Sequence, residues 1–257
     1  IDLSAFYRRI ACLTGMLGLG LFGAQAVLAE LAISRPGWGG ESLNRVTLHG
    51  ADARQQLLLT QSLGDGSVAD QTREAAFTAE PSGLVRITDG LVEPLANGTG
   101  VITARTQAGE TATIPFEVKA VSSEKPVNFS NSIVPLFTKH GCNSGGCHGK
   151  SSGQNGFKLS LLGFEPQEDY EYLLREARGR RIFPAAPERS LLLLKASGLL
   201  PHGGGSRIDA GSFDYKTIVK WIRQGMPYGK PDDPSLEAIE VHPPERIMKP
   251  GARQQLV

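Results

Sequence analysis

Hydrophobic and polar positions follow three different rhythms along this chain, and each predicts a different kind of structure. Ile10 to Leu28 is apolar or small and carries no charge, directly behind Arg8 and Arg9. A basic start, an uncharged run and small residues at Val27-Leu28-Ala29 or Ala24-Gln25-Ala26 make the layout of a secretion signal; the run is barely long enough to span a bilayer. Residues 1–29 are therefore expected to direct export through the general secretory route and to be removed. From about Leu31 to Ala120 the rhythm changes to alternating or β-branched runs, "RVTLHG", "QQLLLTQSL", "GLVRIT", "GVITARTQ" and "ATIPFEVKA". Asp65-Gly66, Asp89-Gly90 and Asn97-Gly98 punctuate them. Short strands spaced in this way predict an antiparallel β-sandwich over residues 30–121.

Between about Lys125 and Asp233 the period is helical. "SNSIVPLFTKHG" has a Ser/Asn start, Pro135 in its first turns and a glycine stop. "EPQEDYEYLLREARG" and "PERSLLLLKASG" each begin near a proline with acidic residues and end at glycine. In "SFDYKTIVKWIRQG", Ser212 is placed as N-cap, Tyr215, Ile218, Val219 and Ile222 share one face, and Gly225 lies past the end. Four short helices, read as an all-α domain over 125–233, are the expectation. Past the linker-like "YGKPDDPSLE", "PGARQQLV" at 250–257 returns the earlier "GADARQQLLLT" of 50–60, so residues 237–257 are expected to open a second sandwich.

Composition adds exclusions. With 257 residues, 40% hydrophobic, the chain can bury a sizeable core, in one large or two modest domains. Lys plus Arg number 27 against 26 Asp plus Glu, a formal charge of +1, so there is no global field to attract nucleic acid or an anionic membrane. No Ser-His-Asp order, phosphate loop or spaced carboxylate pair marks an enzyme. Removing the signal also removes Cys12 and leaves two cysteines, Cys142 and Cys147.

Those two lie in "GCNSGGCHGK", and His148 follows the second at once. Two thiols and an adjacent imidazole suit attachment of a c-type haem, in which the thiols add to the vinyl groups and the histidine ligates iron. The usual separation of the cysteines is two residues; here it is four, Asn143 to Gly146, and the two glycines permit a bulge. A Cys142–Cys147 disulfide and a zinc site of Cys142, Cys147, His148 and a fourth ligand compete with this reading.

Residues 125–233 resemble the cytochrome c-like domains of large exported planctomycete-type proteins, on "GCHG", "PERSLLL" and a final "WIRQG". The preceding segment, "DGSVADQTREAAFTAEPSGLVRITDGLVEPLANGTGVITA", resembles bacterial immunoglobulin-like (group 2) modules. The resemblance implies an all-β immunoglobulin-like sandwich followed by an all-α cytochrome c-like domain, with further domains downstream. It implies haem c as cofactor, Cys142 and Cys147 as thioether residues and His148 as proximal iron ligand. The distal ligand is expected from the loop before the last helix, where His202 stands in "GLLPHGGGSRI"; Met226 is the alternative. Leu159, Leu161, Leu162, Phe164 and Trp221 are candidates to line the ring, and Arg180, Arg181 and Arg207 to meet its propionates. One-electron transfer to an unidentified redox partner protein, outside the cytoplasm, is the expected function, with no membrane span in the mature chain. An adhesive scaffold and an open-iron sensor or peroxidase are the alternatives.

Overall fold

Eleven strands precede the first helix in the computed structural model, which describes residues 30–37, 42–149, 153–234 and 236–257. The predicted signal, residues 1–29, lies outside the described residues. The strands are β1 (Leu31–Pro36), β2 (Ser42–Leu43), β3 (Val46–His49), β4 (Gln55–Gln56), β5 (Leu58–Ser62) and β6 (Val68–Asp70). They continue as β7 (Ala76–Glu80), β8 (Val85–Thr88), β9 (Leu91–Pro94), β10 (Gly98–Arg105) and β11 (Thr111–Lys119).

They form three sheets, ordered β2-β1-β5-β6, β3-β11-β10-β7 and β4-β9-β8. Pairing is antiparallel except between β3 and β11, where Phe116 to Lys119 run parallel to Val46 to His49. Alternation along β11 turns Ile114, Phe116 and Val118 inward, where they meet Val46, Leu48, Val92 and Ile102. The result is an immunoglobulin-like β-sandwich. Asp89 and Gly90, at φ 49° and 78°, make the β8–β9 hairpin by adopting the left-handed backbone such a turn needs. Asn97-Gly98 is not a hairpin; it carries the chain from the sheet of β9 into that of β10, and the Asn97 carboxamide accepts the Val121 N–H at 2.9 Å.

The expectation of an all-α cytochrome c-like domain is corrected. Among the described residues, eleven strands stand against four short α-helices: α1 (Val134–Lys139), α2 (Pro166–Leu174), α3 (Leu191–Ala196) and α4 (Phe213–Arg223), of 6, 9, 6 and 11 residues. The described part of residues 125–233 is a loop-rich unit with a π turn before α1 and short 3₁₀ turns between α1 and α3. The physical reason is punctuation: Pro166 and Pro187 start elements, and Gly141, Gly163, Gly179, Gly198 and Gly225 take left-handed backbone after short runs. Leu162, Ala177 and Arg178 are left-handed as well. No apolar stripe therefore extends beyond about three turns.

The unit has its own core. The Phe129 ring lies 5.1 Å from Tyr170, 5.4 Å from Trp221 and 6.1 Å from Tyr228, with Ile133, Phe137, Leu173, Leu193 and Ile218 buried around them. Its entry and exit segments are stitched together. Val127 N–H donates to Gln224 at 2.8 Å, Phe129 N–H to the Tyr228 carbonyl at 3.0 Å, and Asn128 to Asp233 at 2.7 Å. The unit meets the sandwich through a Lys220–Asp52 ion pair and through Arg54, whose guanidinium sits 4.3 Å over the Phe213 ring. The segment expected to open a second module, 237–257, runs beside β6. There Val68 N–H donates to the Ile247 carbonyl at 3.0 Å and Gln255 N–H to Asp70 at 2.5 Å.

Candidate functional site

Helix α1 delivers the chain into the cysteine loop. His140 ends the helix, and both its ring and the Lys139 ammonium reach Asp214 of α4 at 2.8 Å. Gly141, at φ 70°, then reverses the chain so that the Cys142 N–H donates to the Phe137 carbonyl at 2.7 Å. The loop closes on itself through three more bonds: Cys147 N–H to Ser144 O, His148 N–H to Cys142 O and Gly149 N–H to Ser144 O, each 3.0 Å. Of the four residues between the cysteines, Asn143 is fully buried and donates to Thr138 at 2.8 Å, while Gly145 and Gly146 are exposed. Gly149 has no freedom to be anything larger: a Cβ there would lie 1.8 Å from the Asn143 carbonyl oxygen.

Both cysteines are free thiols that line one cavity with His148 and His202. Burial, and then the neighbouring Cys147, push the Cys142 thiol up to about 11, against the pull of Arg207. It is a neutral thiol at physiological pH, not a thiolate.

The two histidines carry the geometry. His148 Nδ1 lies 3.0 Å from the Phe157 carbonyl and His202 Nδ1 lies 2.8 Å from the Gly205 carbonyl. A carbonyl only accepts, so each bond puts a proton on Nδ1, and in the neutral ring the lone pair is then on Nε2. The rings are within 8° of parallel and their centres are 6.3 Å apart. Burial lowers the His148 pKa, and the nearby His202 and Arg181 add to that; the Phe157 carbonyl opposes it. His148 is thereby kept neutral, as a metal ligand must be.

The rest of the lining combines apolar side chains with cations. Phe137, Leu159, Leu192 and Ala196 are among the apolar ones; Arg180, Arg181, Lys195 and Arg207 supply four cations, and among the described residues no Asp or Glu lines the cavity. Of the other residues expected at the site, Leu161, Leu162 and Phe164 are exposed at 55%, 61% and 82% and do not line it. Trp221 belongs to the Phe129 cluster and donates its indole N–H to the Pro227 carbonyl at 2.9 Å. Met226 packs on that same cluster, with its carbonyl accepting from the Tyr170 hydroxyl at 2.6 Å, and is not part of the cavity wall. Sequence reasoning missed Lys195, Phe157 and Gly153. Only Gly153 had a signal, as a glycine close behind the motif.

The residues present fit a haem. Two near-parallel imidazoles with centres 6.3 Å apart share the cavity with both cysteines, so the side-chain types such a group would need are present together. Apolar side chains together with the cations of Arg180, Lys195 and Arg207 suit a flat apolar ring carrying two carboxylates. Among the described residues no group of three or more His, Cys, Asp or Glu side chains is arranged to hold a metal ion, which disfavours a four-ligand zinc site.

Fold and cavity together define an immunoglobulin-like β-sandwich joined to a small helical unit that brings two cysteines and two histidines to one cavity. No family model matches the chain, and no curated protein does. Among solved structures it is similar to an intimin mutant of EHEC O157:H7, at 12% identity and a TM-score of 0.24, over 44% of this chain and 57% of that one. It is similar to intimin in the intimin–Tir90 complex at 18% identity and 0.23, over 42% and 57%. The chain thus spans little more than half of either relative, and likeness at this level carries no argument about function. No helix among the described residues is long and apolar enough to cross a membrane.

Proposed function

We propose that this chain is an exported c-type haem protein that passes single electrons to a redox partner protein within a larger modular assembly. One observation carries the reading: two near-parallel imidazoles 6.3 Å apart, each with its proton fixed on Nδ1, in the cavity that also holds Cys142 and Cys147. Cys142 and Cys147 would hold the ring covalently, His148 and His202 would ligate its iron, and Arg180, Lys195 and Arg207 would meet its carboxylates. A haem so held supplies one-electron exchange at iron, with the potential set by ligands, charge and burial. Imidazole in place of a thioether removes a soft ligand, so the potential lies below that of His/Met haem proteins. With both histidines bound to iron, the chain would act as a carrier rather than a catalyst.

The test is production in a host with haem c maturation, followed by absorption spectroscopy and a haem-stained denaturing gel. Stain should persist in the wild type and vanish in Cys142→Ala/Cys147→Ala. His202→Ala should turn a low-spin spectrum into a high-spin one, and Met226→Ala should leave it unchanged. A band without haem, or a high-spin change in Met226→Ala instead of His202→Ala, overturns the assignment.

A further inference from the structure

The geometry points to Arg181 as the positioning residue for His148: a buried cation that locks the turn supplying the His148 acceptor and so dictates which ring nitrogen faces the cavity. Arg181 is 3% exposed and makes no ion pair among the described residues. Its guanidinium is spent on backbone carbonyls instead. Nη1 donates to Tyr172 O at 2.7 Å and Glu176 O at 3.1 Å, and Nη2 donates to Gly156 O. The same group lies 4.6 Å over the Phe157 ring, and that ring lies 4.7 Å from the His148 imidazole. One side chain therefore ties the end of α2 to the 153–157 turn.

That turn exists to present a carbonyl. Gln154 N–H donates to Phe157 O at 2.9 Å and Phe157 N–H returns to Gln154 O at 3.0 Å, so the Phe157 oxygen uses one lone pair on Gln154 and the other on His148 Nδ1. The turn is tight enough that a Cβ on Gly153 would lie 2.0 Å from the same oxygen. On the other side, the chain reaches Arg181 through three consecutive left-handed residues, Ala177, Arg178 and Gly179, at φ 52°, 60° and 67°. Left-handed backbone at the two non-glycine positions costs roughly 1 kcal/mol or more each, and persists only where the surroundings impose it. The Arg181 bonds to Tyr172 O and Glu176 O are that imposition, because they grip the chain just before the strained turn.

A neutral histidine chooses its tautomer by the hydrogen bond its other nitrogen makes, and outer partners of this kind orient metal-ligating rings. Without the guanidinium, Gly156 and Phe157 lose their anchor and the Nδ1 acceptor is no longer fixed. The purpose of the clamp rests on the haem reading, whereas its test does not.

The experiment is long-range ¹H–¹⁵N spectroscopy of the ¹⁵N-labelled, haem-free chain at a pH where imidazoles are neutral. Wild type should show His148 and His202 as Nδ1–H tautomers. Arg181→Met should lose the uniform Nδ1–H state of His148, with Nε2–H becoming the major form, while His202 stays as it was. Phe157→Leu keeps the carbonyl and should leave His148 unchanged. A folded Arg181→Met chain with His148 still wholly Nδ1–H overturns the proposal. Should that variant fail to fold, Arg181→Lys carries the test, since one ammonium cannot span three carbonyls; full retention of Nδ1–H in it overturns the proposal equally. A chain that shows the shift yet never acquires haem keeps the role of Arg181 and loses only the haem reading.

Discussion

Replacing Gly149 by alanine puts one methyl group where the cysteine loop has no room. The added carbon would lie 1.8 Å from Asn143 O, 2.4 Å from Asn143 C and 2.9 Å from Ser144 O, all of them backbone. A backbone neighbour cannot rotate aside, so the loop must open by more than an ångström. Two bonds are lost in doing so, Gly149 N–H to Ser144 O and His148 N–H to Cys142 O, both 3.0 Å. Gly149 is buried, and each buried polar group left unpaired costs about 1–3 kcal/mol, so the substitution should destabilise the helical unit by roughly 2–5 kcal/mol. Urea titration read by tryptophan fluorescence measures this, because Trp221 is fully buried in that unit. The Gly145→Ala control should cost little, since its Cβ would meet only a Leu161 methyl at 3.9 Å. A Gly149→Ala chain within about 0.5 kcal/mol of wild type would refute the closure described for the loop.

Two further outcomes follow from charge. With the Cys142 thiol pushed up to about 11, alkylation of Cys142 in the folded haem-free chain at pH 8 should be slower than in the denatured chain by roughly a hundredfold, because only the thiolate reacts; equal rates by mass spectrometry would contradict its burial. Burial acts to raise the Asp214 pKa, but the bonds from Lys139 and His140 outweigh it and the net shift is downward. A carboxyl with a depressed folded pKa contributes stability above its unfolded value near 3.8 that is lost as pH falls through the folded value. Wild type should thus lose stability in that acid window, and Asp214→Asn should show a flatter acid limb in denaturation measured from pH 6 to 2.

Much of the sandwich was legible because its signals are local. Alternation marks β10 and β11, and Asp89-Gly90 marks the β8–β9 hairpin. Asn97-Gly98 looks identical in sequence, yet it crosses between sheets, which depends on strand partners far along the chain. The capping of α4 by Ser212, whose hydroxyl accepts the Tyr215 N–H at 3.2 Å, and its end at Gly225 were equally plain. The all-α expectation failed although the four short helices and their glycine stops were read, because resemblance supplied a domain that the chain, with long loops between those helices, does not build. At the site, the positions of His148 and His202 were readable while their tautomers were not: the acceptors are carbonyls of Phe157 and Gly205, and a carbonyl has no signature in sequence. Leu161, Leu162 and Phe164 were misplaced for a related reason, since the left-handed backbone at Leu162 turns an apolar run outward.

The stitched base of the helical unit has a mechanical meaning. Tension along the chain arrives at Val127 to Phe129 and leaves at Gln224 to Asp233, and these segments are bonded to each other before the load can reach anything between them. Force is therefore shunted across the base as shear on a few parallel hydrogen bonds, leaving the 142–148 loop and the 202–205 loop slack. A chain stretched between two anchored ends would keep its two imidazoles at the same separation until that base parts, and the cavity would ride on the tether as an unloaded side branch.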